Sequence, residues 1–508
     1  MTPAKSPIGT DPPQQSLTRS IGVLDTVAIA ASSTAATTSI GIGLGATAMV
    51  VGLHLPAIML LSFLPILGIA GAFVRLNKVE PNAGNGYVWV GRSLSPWLGF
   101  LTGWINIAGT VVFLAYTTAV TGSALLQLIG KAGLHHIAGL ALDPDSTAQT
   151  TVLGMLVLAA VTLTAVSGIR TAARFQTGLL IFEYAVLIGF CGYGLFAGSH
   201  PFRLDWFNPF AIPSLSGLAQ GMLLSVFAYW GFDAAFTVNE EVRDPRQASR
   251  GGMITLFTML GLFLLGSVAF QRVLSQPELA GHGAEGLTFF GDRLASEPLA
   301  TLPLIALMFS AVASLQSGVI PTVRGMFAMS RDRTLGPVWG RISPKYKTPA
   351  AGTLLLGACA AAMAFLAMVI PTLSDMILAA VNAIGVVVAL AYALTALAAA
   401  VRFRGLLRED PWQGVRAVIL PTLSAAVLLG LGGYLCHSYY VSTDHFEADP
   451  DNGWFMLLCP GLMIGTGILA AAWAKWVRKS PYFRTGHGTD ADELFASEAS
   501  EASETATV

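Results

Sequence analysis

Charge is what this chain has least of. Only 11% of its 508 residues are Asp, Glu, Lys or Arg and 54% are hydrophobic, against about 25% charged in an average soluble protein. An ordinary globular domain in water is excluded. The formal net charge is −1, so there is no basic footprint and no nucleic acid is expected as a partner. Cysteine is scarce too. Cys191, Cys359, Cys436 and Cys459 all fall inside apolar runs and read as packed thiols, with a Cys436 to Cys459 bridge the one conceivable pairing. Metal-ligand spacing is missing. His135 and His136 are adjacent and cannot both face one ion from a regular helix, so neither a metal nor a cofactor is expected. No nucleophile stands beside an obvious base, which leaves a membrane-embedded enzyme without support. The first 20 residues are polar, contain Pro3, Pro7, Pro12 and Pro13, and carry no apolar core of a cleavable signal peptide.

What the chain does have is apolar length. Runs of about 20 residues, enough to cross a hydrocarbon core about 30 Å thick, recur twelve times, over 23–50, 56–74, 98–129, 151–168, 175–197, 218–239, 252–270, 299–328, 351–370, 374–400, 416–437 and 454–476. An all-α polytopic membrane protein follows. With an even number of spans both termini share one side, and that side collects 24 of the 28 Lys and Arg residues, leaving Lys131, Arg203, Arg272 and Arg293 for the other. The positive-inside rule makes both termini cytoplasmic. Composition then divides the chain into a polar, disordered tail over 1–20, a membrane domain over 21–477 and a disordered acidic tail over 478–508, since neither tail has the apolar content to fold alone.

Polar residues inside spans are where chemistry is sought. The stretch Leu224 to Glu241, which takes in most of the sixth run, reads LSVFAYWGFDAAFTVNEE and places Trp230-Gly231-Phe232-Asp233 within the membrane. An ionisable group at that depth costs several kcal/mol, so it faces a cavity, pairs, or handles substrate and protons. Gly231 lowers the cost of interrupting the helix. The first run carries Ser32-Ser33-Thr34-Ala35-Ala36-Thr37-Thr38-Ser39, hydroxyls that either satisfy a locally unwound backbone or form a small-residue packing face. Glu183, the sole acidic residue between Phe175 and Gly198, either pairs with a neighbouring helix or exchanges a proton. Ser310, Ser314 and Ser317 share one helical face and either line a cavity or bond back to their own helix; Asn382 has the same two readings. Asn239, Glu240 and Glu241 meet Arg243, Arg246 and Arg250 in a solvated or bridged charge cluster. Tyr87, Trp89, Trp97 and Trp104 suit a headgroup zone.

Three ordered blocks then carry a family resemblance. Pro81-Asn82-Ala83-Gly84-Asn85-Gly86-Tyr87-Val88-Trp89 with Gly99 to Trp104, Ser225 to Asp233 with Asn239-Glu240-Glu241-Val242-Arg243-Asp244-Pro245, and Met329-Ser330-Arg331-Asp332-Arg333 through Thr348-Pro349 resemble amino acid permeases of the amino acid, polyamine and organocation (APC) transporter superfamily. The resemblance covers about residues 20 to 477. It implies a LeuT-like fold of twelve transmembrane helices, in which helices 1–5 and 6–10 form a 5+5 inverted repeat, helices 1 and 6 are discontinuous, and helices 11 and 12 follow. The polar cluster at 32–39 and the break at 230–233 occupy matching places in the two halves, as such a repeat requires.

The resemblance also implies a secondary transporter in the cell membrane that moves an amino acid or related amine by alternating access, as a symporter or antiporter. Its substrate-binding residues would be Ser32, Ser33, Thr34, Ala35 and Ala36 from the first helix and Phe227, Tyr229, Trp230, Gly231, Phe232 and Asp233 from the sixth. Asp233, Glu183, Ser314 and Ser317 are the coupling candidates, with protons or exchange as the coupling mode. The first-helix segment departs from the family pattern: Ala35 and Ala36 stand where relatives usually carry glycines around a hydroxyl residue, and alanines can support a continuous helix. No Lys or Arg occurs between Phe175 and Gly198, so the fifth-helix lysine of some members is absent. A nutrient sensor that binds without transporting is the alternative.

Overall fold

The computed structural model describes residue 19 and residues 21–483, apart from 138, 167–168, 213, 282–285, 347, 371 and 443–452. The tails expected over 1–20 and 478–508 therefore lie outside the described residues, save Arg19 and residues 478–483. Among the described residues, twelve helices are long and apolar enough to cross a membrane: α1 Val23–Val51, α2 Leu55–Val79, α3 Pro96–Lys131, α4 Thr147–Val166, α5 Arg174–Ala197, α6 Leu215–Thr237, α7 Pro245–Val273, α8 Leu299–Arg331, α9 Ala350–Ala367, α10 Asp375–Arg402, α11 Pro411–Val441 and α12 Gly453–Trp476. Each coincides with one of the twelve expected runs.

The helix starts follow from local chemistry. Ser95 accepts a hydrogen bond from the Trp97 amide ahead of α3, Ser214 from Gly217 ahead of α6, Asp244 from Arg246 ahead of α7 and Thr372 from Asp375 ahead of α10. Each cap satisfies one of the donors that a helix N-terminus leaves open. Pro96 and Pro245 fill the first helical positions, where a missing N–H costs nothing. A multi-pass membrane protein results, with α1 and α10 the most enclosed helices and α11 and α12 the least, only 28% of their apolar stretches being buried.

Small residues bring the inner helices together. A Cβ on Gly122 of α3 would lie 1.8 Å from the Thr150 carbonyl oxygen of α4, and one on Gly154 would lie 1.9 Å from the Thr118 carbonyl oxygen. The two backbones meet through this reciprocal glycine contact, the usual device for close approach in lipid, where apolar burial gives no drive between helices.

Several expectations are revised by the packing. Tyr87 and Trp89 are not interfacial; they belong to a buried helix, Gly86–Ser93, where the Trp89 indole donates to the Glu80 carbonyl at 2.9 Å. Glu241 pairs not with Arg243, Arg246 or Arg250 but with Arg324 of α8 at 2.8 Å, both side chains nearly inaccessible, and Glu240 pairs with Arg331 at 3.2 Å. All four cysteines are free, and Cys359 is exposed rather than packed. The ordered chain also continues past α12: Tyr482 stacks on Tyr87 with centroids 4.9 Å apart, and the Ser480 hydroxyl donates to the Asp332 carbonyl at 3.0 Å. A short hairpin, β1 His136–Ile137 and β2 Leu140–Ala141, closes the connection between α3 and α4.

Two stability outcomes follow. Gly154→Val forces α3 and α4 apart and is expected to cost about 1–3 kcal/mol, read as a lower unfolding temperature in detergent, whereas Gly189→Ala, which meets nothing within 4 Å, leaves it unchanged or slightly higher. Arg324→Met strands a buried carboxylate and is expected to cost about 3–5 kcal/mol; adding Glu241→Met recovers most of that loss, and a double variant no more stable than Arg324→Met would refute the pairing as its cause.

Candidate functional site

Helix α1 is interrupted at one residue. The segment Val23–Thr34 ends at Ala35, which sits in the left-handed region at φ 49 and ψ 56, and the helix restarts at Ala36. A left-handed alanine costs roughly 1–2 kcal/mol, so the surroundings must hold it. They do so through hydroxyls. Thr34 donates to the Ala31 carbonyl at 2.8 Å, Ser39 donates to the Thr34 carbonyl at 3.1 Å, and a π-helical turn, Ser39–Gly43, follows. From α8, the Ser314 hydroxyl donates to the Ser32 carbonyl at 3.2 Å, while the Ser33 hydroxyl donates to the Ser317 carbonyl at 3.0 Å. Alanines thus do not keep the helix continuous here.

Helix α6 is interrupted over four residues. Leu215–Tyr229 ends with Trp230 extended at φ −62 and ψ 138, Gly231 takes φ 113, and helix resumes over Ala234–Thr237. No other residue type adopts that Gly231 conformation without strain. Space excludes them as well, since a Cβ on Gly231 would lie 2.6 Å from the Ser33 carbonyl carbon and 2.8 Å from the Thr34 nitrogen. The two interruptions touch.

Two cavities border this contact. The first is lined by Ser33, Gly231, Asp233, Asn106, Thr110 and Ser317 and extends to Asn85, Tyr87 and Met329. The second is lined by Ser33, Thr34, Ala35, Phe227, Tyr116 and Val381 and extends to Thr47 and Ile42. Ser33, Phe113 and Trp230 line both. Trp230 meets Phe113 edge-on at 5.7 Å and Phe227 at 6.0 Å, and Tyr116 joins Phe113 at 5.5 Å, so an aromatic group from α3 and α6 stands between the two spaces.

The candidate residues separate accordingly. Ser33, Thr34, Ala35, Phe227, Trp230, Gly231 and Asp233 line one or both cavities. Ser32, Ala36, Tyr229 and Phe232 line neither. Tyr229 turns away to donate to the Met59 carbonyl at 3.2 Å and to pack on Phe63 and Phe263; Phe232 packs among Phe73, Phe236 and Tyr392. Asp233 accepts a hydrogen bond from the Tyr392 hydroxyl of α10 at 3.0 Å. Ser317 lines the first cavity, and Ser314 bonds back to the Ser310 carbonyl at 2.6 Å as well as to α1. Glu183 lies apart, fully buried on α5, and neither of its carboxyl oxygens has a hydrogen-bond partner among the described residues. Asn382 bonds back to the Leu378 carbonyl and accepts from Tyr439 of α11.

Residues that the sequence reading did not single out complete the walls. Asn106, Thr110, Phe113 and Tyr116 come from α3, Thr322 from α8 and Ile377 and Val381 from α10. The available signal was Asn106 and Thr110, polar groups one turn apart inside an apolar span; Thr110 shares a 2.8 Å hydrogen bond with Thr322. Tyr87, at the far end of the first cavity and outside the spans, is a neutral phenol: burial pushes its hydroxyl well above the ordinary range, and neighbouring Asp332 adds to the shift. The site holds one carboxylate, several hydroxyls and amides, a cluster of rings and two interrupted helix ends.

This arrangement can hold a small zwitterion or amine, with exposed backbone for its charged groups and aromatic surface for its body. The model of the amino acid permease family matches residues 21–444. A methylthioribose transporter of Bacillus subtilis (strain 168) is 25% identical over 320 residues, covering 60% of this chain and 67% of that protein. The low-affinity putrescine importer PlaP of Escherichia coli (strain K12) is 27% identical over 332 residues, covering 60% and 66%. A vacuolar cationic amino acid transporter 4 of Arabidopsis thaliana is 26% identical over 407 residues, covering 73% and 62%. The matched part spans about two thirds of the length of these relatives. With a family match running from before α1 to just past the end of α11, and two interrupted helices meeting at a cavity, the chain belongs to the amino acid permease family of the APC superfamily.

Proposed function

We propose that this protein is a secondary active transporter that carries an amino acid or related amine across the cell membrane by alternating access. The observation that carries the reading is the contact between Gly231 and the Ser33–Thr34 peptide, with a cavity on each side of it. A substrate carboxylate is assigned to the N–H groups that open the second part of α1, where the helix dipole is positive. The ammonium goes to the carbonyls released at the end of the first part of α6 and to Asp233, as half-helix ends serve charged solutes in inverted-repeat transporters. Ser32, Ala36, Tyr229 and Phe232 then act behind the site, supporting the backbone that Ser33, Thr34, Ala35, Phe227, Trp230 and Gly231 present. Helices α1–α5 and α6–α10 form the inverted repeat, both termini are cytoplasmic, and the regions over 1–20 and 478–508 are tails flanking the transport domain. Asp233 and Glu183 are the carboxyl groups available for proton coupling; exchange of one amine for another needs neither.

Trp230 and Phe113 border both cavities and are assigned the barrier that keeps the site from opening to both sides together. The putrescine importer and cationic amino acid transporter among the relatives favour an amine or cationic amino acid as first choices in a screen. A thermal-shift screen over amino acids and amines finds candidate ligands, because a ligand that binds only the folded state raises its apparent stability.

Uptake into proteoliposomes tests the reading. Gly231→Ala, which forces a Cβ onto the α1 break, is expected to cut initial uptake roughly tenfold or more, equivalent to about 1.4 kcal/mol, in protein that still purifies folded. An imposed pH gradient is expected to accelerate uptake by the wild type and not by Asp233→Asn; wild-type flux indifferent to the gradient would remove the proton role. Saturable binding with no flux would replace transport by the sensor function.

A further inference from the structure

The arginines on the basic end of the bundle are unevenly paired. Arg92, Arg324 and Arg331 are each ion-paired, with Glu80, Glu241 and Glu240. Among those with no ion pair within the described residues, five are gathered around one connection: Arg75 near the end of α2, Arg402 and Arg404 where α10 ends, Arg408 in the following short helix, and Arg416 at the start of α11. All but Arg75 are exposed. Two carboxylates accompany these five cations. Asp410 is occupied in capping the helix Pro411–Gly414, accepting from the Gln413 amide at 3.1 Å, and Glu409 is exposed.

The connection between α10 and α11 holds this charge in a defined place. Its two short helices, Leu406–Glu409 and Pro411–Gly414, fold against each other, a Cβ on Gly414 lying 2.8 Å from the Leu407 Cα. Arg75 donates to the Gln413 side-chain carbonyl at 3.4 Å, which ties the connection to α2, and Arg416 and Asp410 lie close enough for their charges to act on Arg75. The Arg416 guanidinium lies 4.6 Å over the Trp412 ring, and that indole is 64% exposed. A turn further along α11, Ile419, Leu420 and Leu423 are exposed. The cationic cluster therefore stands where the apolar outer surface of the bundle begins, with an indole at the boundary, the depth at which lipid headgroups lie.

We propose that this patch binds the headgroup of an anionic phospholipid, with Trp412 and Arg416 forming its seat and the exposed leucines of α11 taking the acyl chain. Arginine's planar donor fork matches a phosphodiester, and a net cationic cluster at the surface attracts anionic lipid. Free phosphate offers the same oxygens, but only a lipid also covers Leu420 and Leu423. The acidic residues Asp490, Asp492, Glu493, Glu498, Glu501 and Glu504 of this chain are the competing source of negative charge.

Native mass spectrometry and thermal unfolding of the purified full chain in mild detergent test this, with dioleoyl phosphatidylglycerol, dioleoyl phosphatidylcholine or inorganic phosphate at matched concentrations. Retention of phosphatidylglycerol with a rise in unfolding temperature is expected, and neither of the other additives reproduces it. The combined variant Arg404→Gln, Arg408→Gln and Arg416→Gln is expected to retain phosphatidylglycerol roughly tenfold less, and Trp412→Ala alone, which leaves every charge in place, to retain it less than wild type. Arg341→Gln with Lys345→Gln, cations outside the patch, leaves retention unchanged. Equal retention by the wild type and both patch variants would overturn the proposal, as would equal stabilisation by phosphatidylcholine or phosphate. A phosphatidylglycerol effect that appears only after removal of residues 484–508 would assign the patch to the acidic tail instead and overturn it too.

Discussion

The contact on which this architecture rests is backbone against backbone: Gly231 lies on the Ser33–Thr34 peptide with no room for one added carbon. In lipid a helix is broken only where the freed amides and carbonyls find other partners or line a cavity. Here each interruption provides part of the environment of the other. Glycine is required on the α6 side twice over, by its φ of 113 and because an added Cβ would lie only 2.6 Å from the Ser33 carbonyl carbon. The α1 side has no glycine at the break, and Ala35 takes a conformation that disfavours it. That imbalance shapes the rest of the site.

Because Ala35 does not favour a break, the break is held from outside. Ser314 and Ser317 of α8 bond to the turn of α1 just ahead of it, the first as donor to the Ser32 carbonyl and the second through its carbonyl as acceptor from Ser33. Helix α8 is in turn anchored to the end of α6 through Arg324 and Glu241, a buried pair whose separation would leave a charge in a low-dielectric interior. The N-terminal approach to α1 is fixed to the same region, since the Ile21 amide donates to the Glu241 carbonyl at 3.2 Å and the Arg243 amide to the Ile21 carbonyl at 3.3 Å. Helix α10 completes the ring by donating from Tyr392 to Asp233. Four helices thus share one polar network around two interruptions, while α11 and α12 lie mostly outside it.

How much of this was legible follows from which features are local. The twelve spans were, because length and apolar content decide them one at a time. The α6 interruption was, because Gly231 two residues ahead of the Asp233 carboxylate within an apolar run leaves few alternatives. The exact α1 break was not: eight consecutive small or hydroxyl residues are compatible with several break points, and contacts from α6 and α8 select Ala35. Orientation was illegible for the same reason. Phe227, Tyr229, Trp230 and Phe232 look alike as a list of rings, yet only Phe227 and Trp230 face the cavities, since the chain leaves helical geometry between Tyr229 and Asp233 and the 3.6-residue period no longer says which way a side chain points. Tyr87 and Trp89 read as interfacial because amphipathic rings usually are; the fold covers Tyr87 with the start of α3, the end of α8 and Tyr482, and sets Trp89 edge-on against Phe73 of α2 at 5.4 Å. The partners of Glu240 and Glu241 are about 80–90 residues away in sequence, beyond what any spacing argument reaches.

The same imbalance between the two breaks bears on how the site can move. A helix end fixed by its own sequence keeps its shape when neighbours shift; one fixed by neighbours does not. The α6 turn belongs to the first kind, since Gly231 adopts its conformation cheaply wherever α6 goes. The α1 break belongs to the second, since Ala35 is kept in place by hydroxyl bonds to α8 and by the facing glycine. Relative motion of α1 against α6 and α8 would therefore change the cavity and the α1 backbone together. The serines of α8 matter to such motion even though Ser314 lines neither cavity: their bonds occupy part of the α1 backbone, and Ser33, which borders both cavities and donates to the Ser317 carbonyl, connects them to either space, while Ser317 also borders the first cavity directly.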